Sequence, residues 1–201
     1  MPGIFAFWGA QVDLAHLRLA AAGAVRQSVT TDPTARHADA GHGWAARYRN
    51  GQGACHHGVE ALDTRLPTLP LDPAVVVGCA GDDLQPLVSS DRALVHHGSP
   101  HRGTLPPAVS TAASLSLAYQ RARLDLNPVA ALKHVVELAQ QTTWVTVVLD
   151  DDGHLYGHRC GHPLWQCLYT KAGVHWSSQP CCPHARPLPE LAVFSTLGEP
   201  S

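Results

Sequence analysis

Short apolar runs of β character, collected in groups and parted by helix-like segments, constrain this chain more than any other feature. Ile4 to Trp8 is an apolar, aromatic run ended by Gly9, which suits a buried strand starting almost at the first residue. A terminus that apolar is expected to be tied into a core. Leu14 to Ala24 is rich in Ala and Leu with Asp13 placed to cap it, so a helix is predicted as far as Gly23. His42 to Tyr48 and Ala54 to Val59 flank Arg49-Asn50-Gly51-Gln52-Gly53, where the Asn-Gly pair favours a hairpin turn. Pro67, Pro70 and Pro73 interrupt the pattern before Ala74 to Cys79, a buried strand by composition.

The second half repeats the style. Ala93 to His97 reads as a strand, Gly98 to Pro107 as a Pro/Gly loop, Ser110 to Arg123 as a helix, and Pro128 opens another that runs to Gln140. Trp144 to Leu149, His154 to Arg159, Pro163 to Tyr169 and Val174 to Ser178 are predicted to form one antiparallel meander, with turns at Asp150-Asp151-Asp152-Gly153 and Lys171-Ala172-Gly173. Strand groups separated by paired helices favour a layered α+β domain over a parallel βαβ sheet. The Pro-rich tail, 183–201, is expected to wrap the surface.

Composition narrows the functions. A chain of 201 residues, 45% hydrophobic, 15% charged and with a formal charge of −2, is globular rather than disordered or polybasic. Strong nonspecific nucleic-acid binding is thereby excluded. No Lys or Arg precedes Arg18 and no run nears the ~20 apolar residues that span a bilayer, so neither a secretory leader nor a membrane partner is expected. The six cysteines are too sparse for a disulfide-built scaffold and read as reduced thiols of a cytoplasmic protein.

Six short stretches carry a resemblance. The chain begins Met1-Pro2-Gly3-Ile4-Phe5-Ala6; it continues with Gly81-Asp82-Asp83-Leu84-Gln85-Pro86-Leu87 and Ala93-Leu94-Val95-His96-His97-Gly98. Later come Leu155-Tyr156-Gly157-His158-Arg159, Pro163-Leu164-Trp165 and Ser177-Ser178-Gln179. In order and spacing these are similar to the glutaminase domain of class II glutamine amidotransferases of the asparagine-synthetase type, which begins Met-Cys-Gly-Ile-Phe-Gly. The resemblance implies an N-terminal-nucleophile hydrolase fold: an α+β, four-layer αββα sandwich of two mainly antiparallel sheets. One glutaminase-like domain would then cover 1–201, with residue 2 at a strand tip once Met1 is removed.

In that family the thiol of residue 2 attacks the glutamine amide and the free α-amine serves as base. Pro2 has neither the thiol nor a hydroxyl from which that family's acyl-enzyme is built. The arginine that clamps the glutamine carboxylate falls on Gly81, which has no guanidinium. The oxyanion-hole Asn-Gly pair falls on His97-Gly98, which keeps a backbone N–H and loses the side-chain amide. The carboxylate for the glutamine amine falls near Thr111. Each lost charged contact removes ~2–5 kcal/mol, so free glutamine should not bind. The resemblance therefore implies a vestigial pocket, no catalytic residue and no cofactor.

Other constellations are weaker. His158, Cys160, His162, Cys181, Cys182 and His184 crowd the last third, and Cys with His at short separations can bind zinc. His158 and His162 stand about 13 Å apart on an unbroken strand, so a shared ion needs a turn, which Gly161 permits. Asp150, Asp151 and Asp152 read as a solvated hairpin turn, and Gly51-Gln52-Gly53 lacks the helix and Lys-Ser/Thr of a phosphate loop.

The reading that follows is a catalytically inactive glutaminase-like subunit. Its partner would be a separately encoded ATP-dependent amide- or ring-forming synthetase of the asparagine-synthetase type, in a biosynthetic setting, with self-association as a further option. One alternative is an enzyme that uses the Pro2 secondary amine as base or nucleophile, which requires loss of Met1. Another is a His-rich metal-binding module, drawing on the fourteen histidines.

Overall fold

The computed structural model describes residues 3–10, 14–30, 41–58, 73–81, 85–98, 104–139, 143–169 and 173–197. Pro2 and Asp13, expected at the family's nucleophile position and as the first helix cap, lie outside them, as do Asp82, Asp83 and Leu84.

The elements in chain order are β1 (Gly3–Trp8), α1 (Leu14–Thr30), β2 (Gly41–Arg47), β3 (Gly53–Gly58), β4 (Val75–Gly81), β5 (Leu87–Ser89), β6 (Arg92–Gly98), α2 (Thr111–Ala122), α3 (Pro128–Ala139), β7 (Trp144–Leu149), β8 (Leu155–Cys160), β9 (Trp165–Tyr169), β10 (Gly173–Ser177), β11 (Arg186–Pro187) and β12 (Val193–Ser195). One sheet has seven strands in the order β11-β9-β10-β1-β4-β2-β3, the other five in the order β12-β8-β7-β6-β5. The strand pairings within both sheets are antiparallel.

Side-chain alternation sorts the strands into layers. Ile4, Ala6, Val75, Val77 and Cys79 of the larger sheet meet Val95, Val145, Val147 and Leu155 of the smaller one in a shared core. Phe5, Phe7, Trp44 and Val76 point the other way, onto Leu17, Ala20, Ala21 and Ala24 of α1. Leu94, Trp144, Val148 and Tyr156 back onto α2 and α3 through Leu115, Tyr119, Leu132 and Val135. The layers therefore run α1, seven-stranded sheet, five-stranded sheet, α2 with α3: the expected α+β sandwich.

The helices follow their sequence signals. Ser110 caps α2, its hydroxyl accepting from Ala113 N at 3.2 Å. Asn127 does the same for α3 through Ala130 N at 2.9 Å, with Pro128 at the first helical position. The first helix departs from expectation by continuing through Gly23 to Thr30. A glycine there costs only about 1 kcal/mol, and the buried stripe Leu17-Ala20-Ala21-Ala24 at helical spacing outweighs it.

Four expectations need correction. The predicted meander is divided between the sheets: β7 and β8 pair in the smaller, β9 and β10 in the larger. Gly161, at φ +69°, turns the chain from one to the other. The tail does more than wrap, since β11 and β12 each complete a sheet edge and Leu188 is buried in the shared core. The cysteines are not all reduced, for Cys167 and Cys182 form a disulfide. Finally, Asp150 is wholly buried, not solvated, though Asp151 to Gly153 do form the turn.

Candidate functional site at the rim of the sandwich

The two ends of the sandwich differ in chemistry. At one, β1 starts: Gly3 lies opposite Ala80, and Gly81 opposite Gly41. Ser178 fixes this start, its hydroxyl accepting from Ile4 N at 2.7 Å and donating to Ile4 O at 3.1 Å. Helix α1 presses against the same point, because a Cβ on Gly3 would stand 2.2 Å from Ala24 Cα. Only glycine tolerates that approach.

Gln85 ties the smaller sheet to this end. Its side-chain oxygen accepts from His96 N at 2.6 Å, and its carbonyl lies 2.3 Å from where a Cβ on Gly43 would stand. Gly43 faces Cys79, which faces Ile4, so the end of β6 and the start of β1 share one rim. Alternation from Val95 carries His97 inward between the sheets. Gly98 follows at φ +98°, where a Cβ would stand 2.3 Å from Thr143 O and 2.9 Å from His162 Nε2.

His162 reaches this rim because Gly161 turns it there. Its ring lies 4.3 Å from that of His97, centroid to centroid, at 54°. Burial, and next the adjoining His162, pull the His97 imidazole down to about 3, so it is neutral at physiological pH. His162 is lowered too, by burial, against a hydrogen bond to the Thr143 backbone that works the other way. His97 is 9% exposed, and its Nε2 is buried with no hydrogen-bond partner among the described residues.

Of the residues expected in the vestigial pocket, Gly81, His97 and Gly98 therefore come to the rim where β1 begins. Thr111 does not join them between the sheets. It opens α2 on the outer face of the smaller sheet, while the far end of that helix, at Tyr119 and Arg123, reaches Asp150 at the opposite rim. Cys79 lies in the shared core at 1% exposure, where no substrate reaches its sulfur.

The crowded Cys/His set separates. His158 and Cys160 face the helices; the His158 ring packs 5.1 Å from Trp144 and its Nδ1 donates to Ala192 O at 3.2 Å. His162 sits with His97. Cys181 packs on the α1 side and burial raises its thiol, Cys182 is in the disulfide, and His184 is exposed near Arg186. Among the described residues no three His, Cys, Asp or Glu side chains converge on a metal position. Sequence reasoning placed His162 with the wrong neighbours. Strand parity at Val95 and the glycine at 161 were the signals for the right one.

The layered sandwich is a glutamine amidotransferase-like fold. Among solved structures, the chain is similar to a predicted glutamine amidotransferase from Pseudomonas aeruginosa PA01, with a TM-score of 0.50 at 11% identity over 97% of this chain and 93% of that one. No protein-family model and no curated protein matches the chain. No helix among the described residues is long and apolar enough to cross a membrane.

Proposed function

We propose that this chain is a glutaminase-like domain of the N-terminal-nucleophile type that has lost amide hydrolysis and acts as the noncatalytic partner of a separately encoded ATP-dependent amide- or ring-forming synthetase of the asparagine-synthetase type. One observation carries the reading: the residue preceding Gly3, at the position of the family's nucleophile, is Pro2, whose ring holds no atom able to form a thioester. The substitutions at Gly81 and His97 support it. Both belong to the rim where β1 begins, and neither offers the group that would clamp or polarise glutamine. The strand ends around them are held, Ser178 bonding Ile4 and Gln85 bonding His96. A framework kept after its chemistry is lost fits a docking role, in a biosynthetic setting.

The test has two parts. The purified chain, incubated with glutamine, releases no glutamate or ammonia above the buffer blank. Co-expressed with a synthetase of that type from the same genome, it elutes as a stoichiometric complex, and the synthetase loses activity without it. Catalytic turnover of glutamine overturns the reading, as does a synthetase fully active and unassociated.

A further inference from the structure

Amide hydrolysis in this fold has no use for the two imidazoles that meet at the rim. Both are neutral, their rings lie 4.3 Å apart, and the Nε2 of His97 is buried without a partner among the described residues. A buried polar nitrogen left so is costly, and an ion or a water is one way such a group is satisfied in native proteins. The surroundings favour an ion. His162 is hydrogen-bonded to the Thr143 backbone, the outer contact that fixes the ring of a metal-ligating histidine and makes it more basic. Gly98 makes the pairing possible, since any side chain there would collide with Thr143 O and with His162 Nε2.

At 4.3 Å the rings stand slightly closer than a shared ion would hold them. With zinc–nitrogen bonds of about 2.0–2.1 Å, two imidazole centroids sharing one ion stand on the order of 4.5–5.5 Å apart, a small side-chain rotation from what is seen. His158 cannot be a third ligand, being turned to the helices and bonded to Ala192 O. Two protein ligands leave a tetrahedral ion two positions for water or an external donor.

We propose that His97 and His162 together bind one divalent transition ion of imidazole preference, zinc first, at the rim where β1 begins. The assignment is independent of any synthetase partner. The probe is metal alone: tag-free protein stripped with a chelator, titrated with Co²⁺ and followed by its visible bands, then displaced with Zn²⁺. One ion per chain is expected, with at least tenfold weaker binding in H97A and in H162A and unchanged binding in H134A and H184A, whose rings are exposed. Because either rim variant can unfold, imidazole ¹⁵N resonances of the unaltered protein give a second reading. Zinc should shift those of His97 and His162. Undiminished binding in folded H97A or H162A, shifts confined to other histidines, or no binding at all overturns the proposal.

Discussion

Asp150 is the residue whose environment departs furthest from what its neighbours in sequence suggest. Its carboxylate is fully buried and accepts from the Tyr119 hydroxyl, from Arg123 Nε at 3.1 Å and Nη2 at 3.2 Å, from Arg92 Nε at 3.3 Å and from Asp151 N at 2.7 Å. Burial by itself would raise this carboxyl, but the hydrogen bonds from Asp151, Arg123 and Tyr119 prevail and hold it well below the usual carboxylate range. Removing one partner of a buried ion pair costs about 3–5 kcal/mol because the others are left uncompensated. Asp150→Asn should lower the urea-unfolding free energy by that amount, and a loss under 1 kcal/mol would show the cluster to be solvated. Buried histidines set the response to mild acid. His97, lowered to about 3, stays neutral in the fold while the unfolded chain takes up its proton near 6.5, so stability falls as pH drops between those values. Burial lowers His158 and His162 in the same direction. Asp150 contributes only further down, its stabilisation lost below about 3.9 as pH falls through its folded value. In chelator, the urea midpoint should therefore decline between pH 7 and 5, before carboxylates titrate; a flat midpoint over that interval contradicts neutral burial of these histidines.

Among elements, the contact of α1 with β1 is the most exacting, because Gly3 brings the helix backbone where a methyl would go. Gly3→Ala forces the two apart, and overpacking of this kind costs about 1–3 kcal/mol. Lower thermal stability is expected, with a rise in the emission of Trp44, which lies in the layer between helix and sheet; an unchanged Tm would mean that α1 is loosely seated. Much of this architecture was legible beforehand. Asn50-Gly51 gave the β2–β3 hairpin, and Ser110 and Pro128 gave the starts of α2 and α3, because caps and turns are written in residues adjacent in the chain. What was not legible depended on partners distant in sequence. Asp150 looks like any aspartate before a turn until Tyr119 and Arg123 arrive from α2. His162 looks aligned with His158 until Gly161 redirects it. Two glycines, at 98 and 161, decide which histidines meet, and neither announces its partner.

At the scale of the molecule the tail decides whether the sandwich is closed. Both sheets end on its segments: β11 pairs with β9 on the larger, β12 with β8 on the smaller. Between them Leu188 enters the shared core, Phe194 packs edge-on to Trp176 at 5.1 Å, and Thr196 Oγ1 accepts from Leu155 N at 3.0 Å. The disulfide from Cys167 to Cys182 anchors the point where this segment leaves the sheet. The larger sheet is only briefly covered, since β11 is two residues long and Leu168 of β9 remains 50% exposed. An unpaired strand edge with apolar side chains is a template for association. Truncation after Cys182 keeps the disulfide but strips β11 and β12, exposing β9, β8 and the side of the shared core together. The shortened chain should self-associate in light scattering and bind a hydrophobic dye, while the far-ultraviolet spectrum keeps most of its helix signal, because α1, α2 and α3 pack on the faces of the sheets. A truncated chain that stays monomeric with the same urea midpoint would show that the tail lies on a sandwich already closed without it.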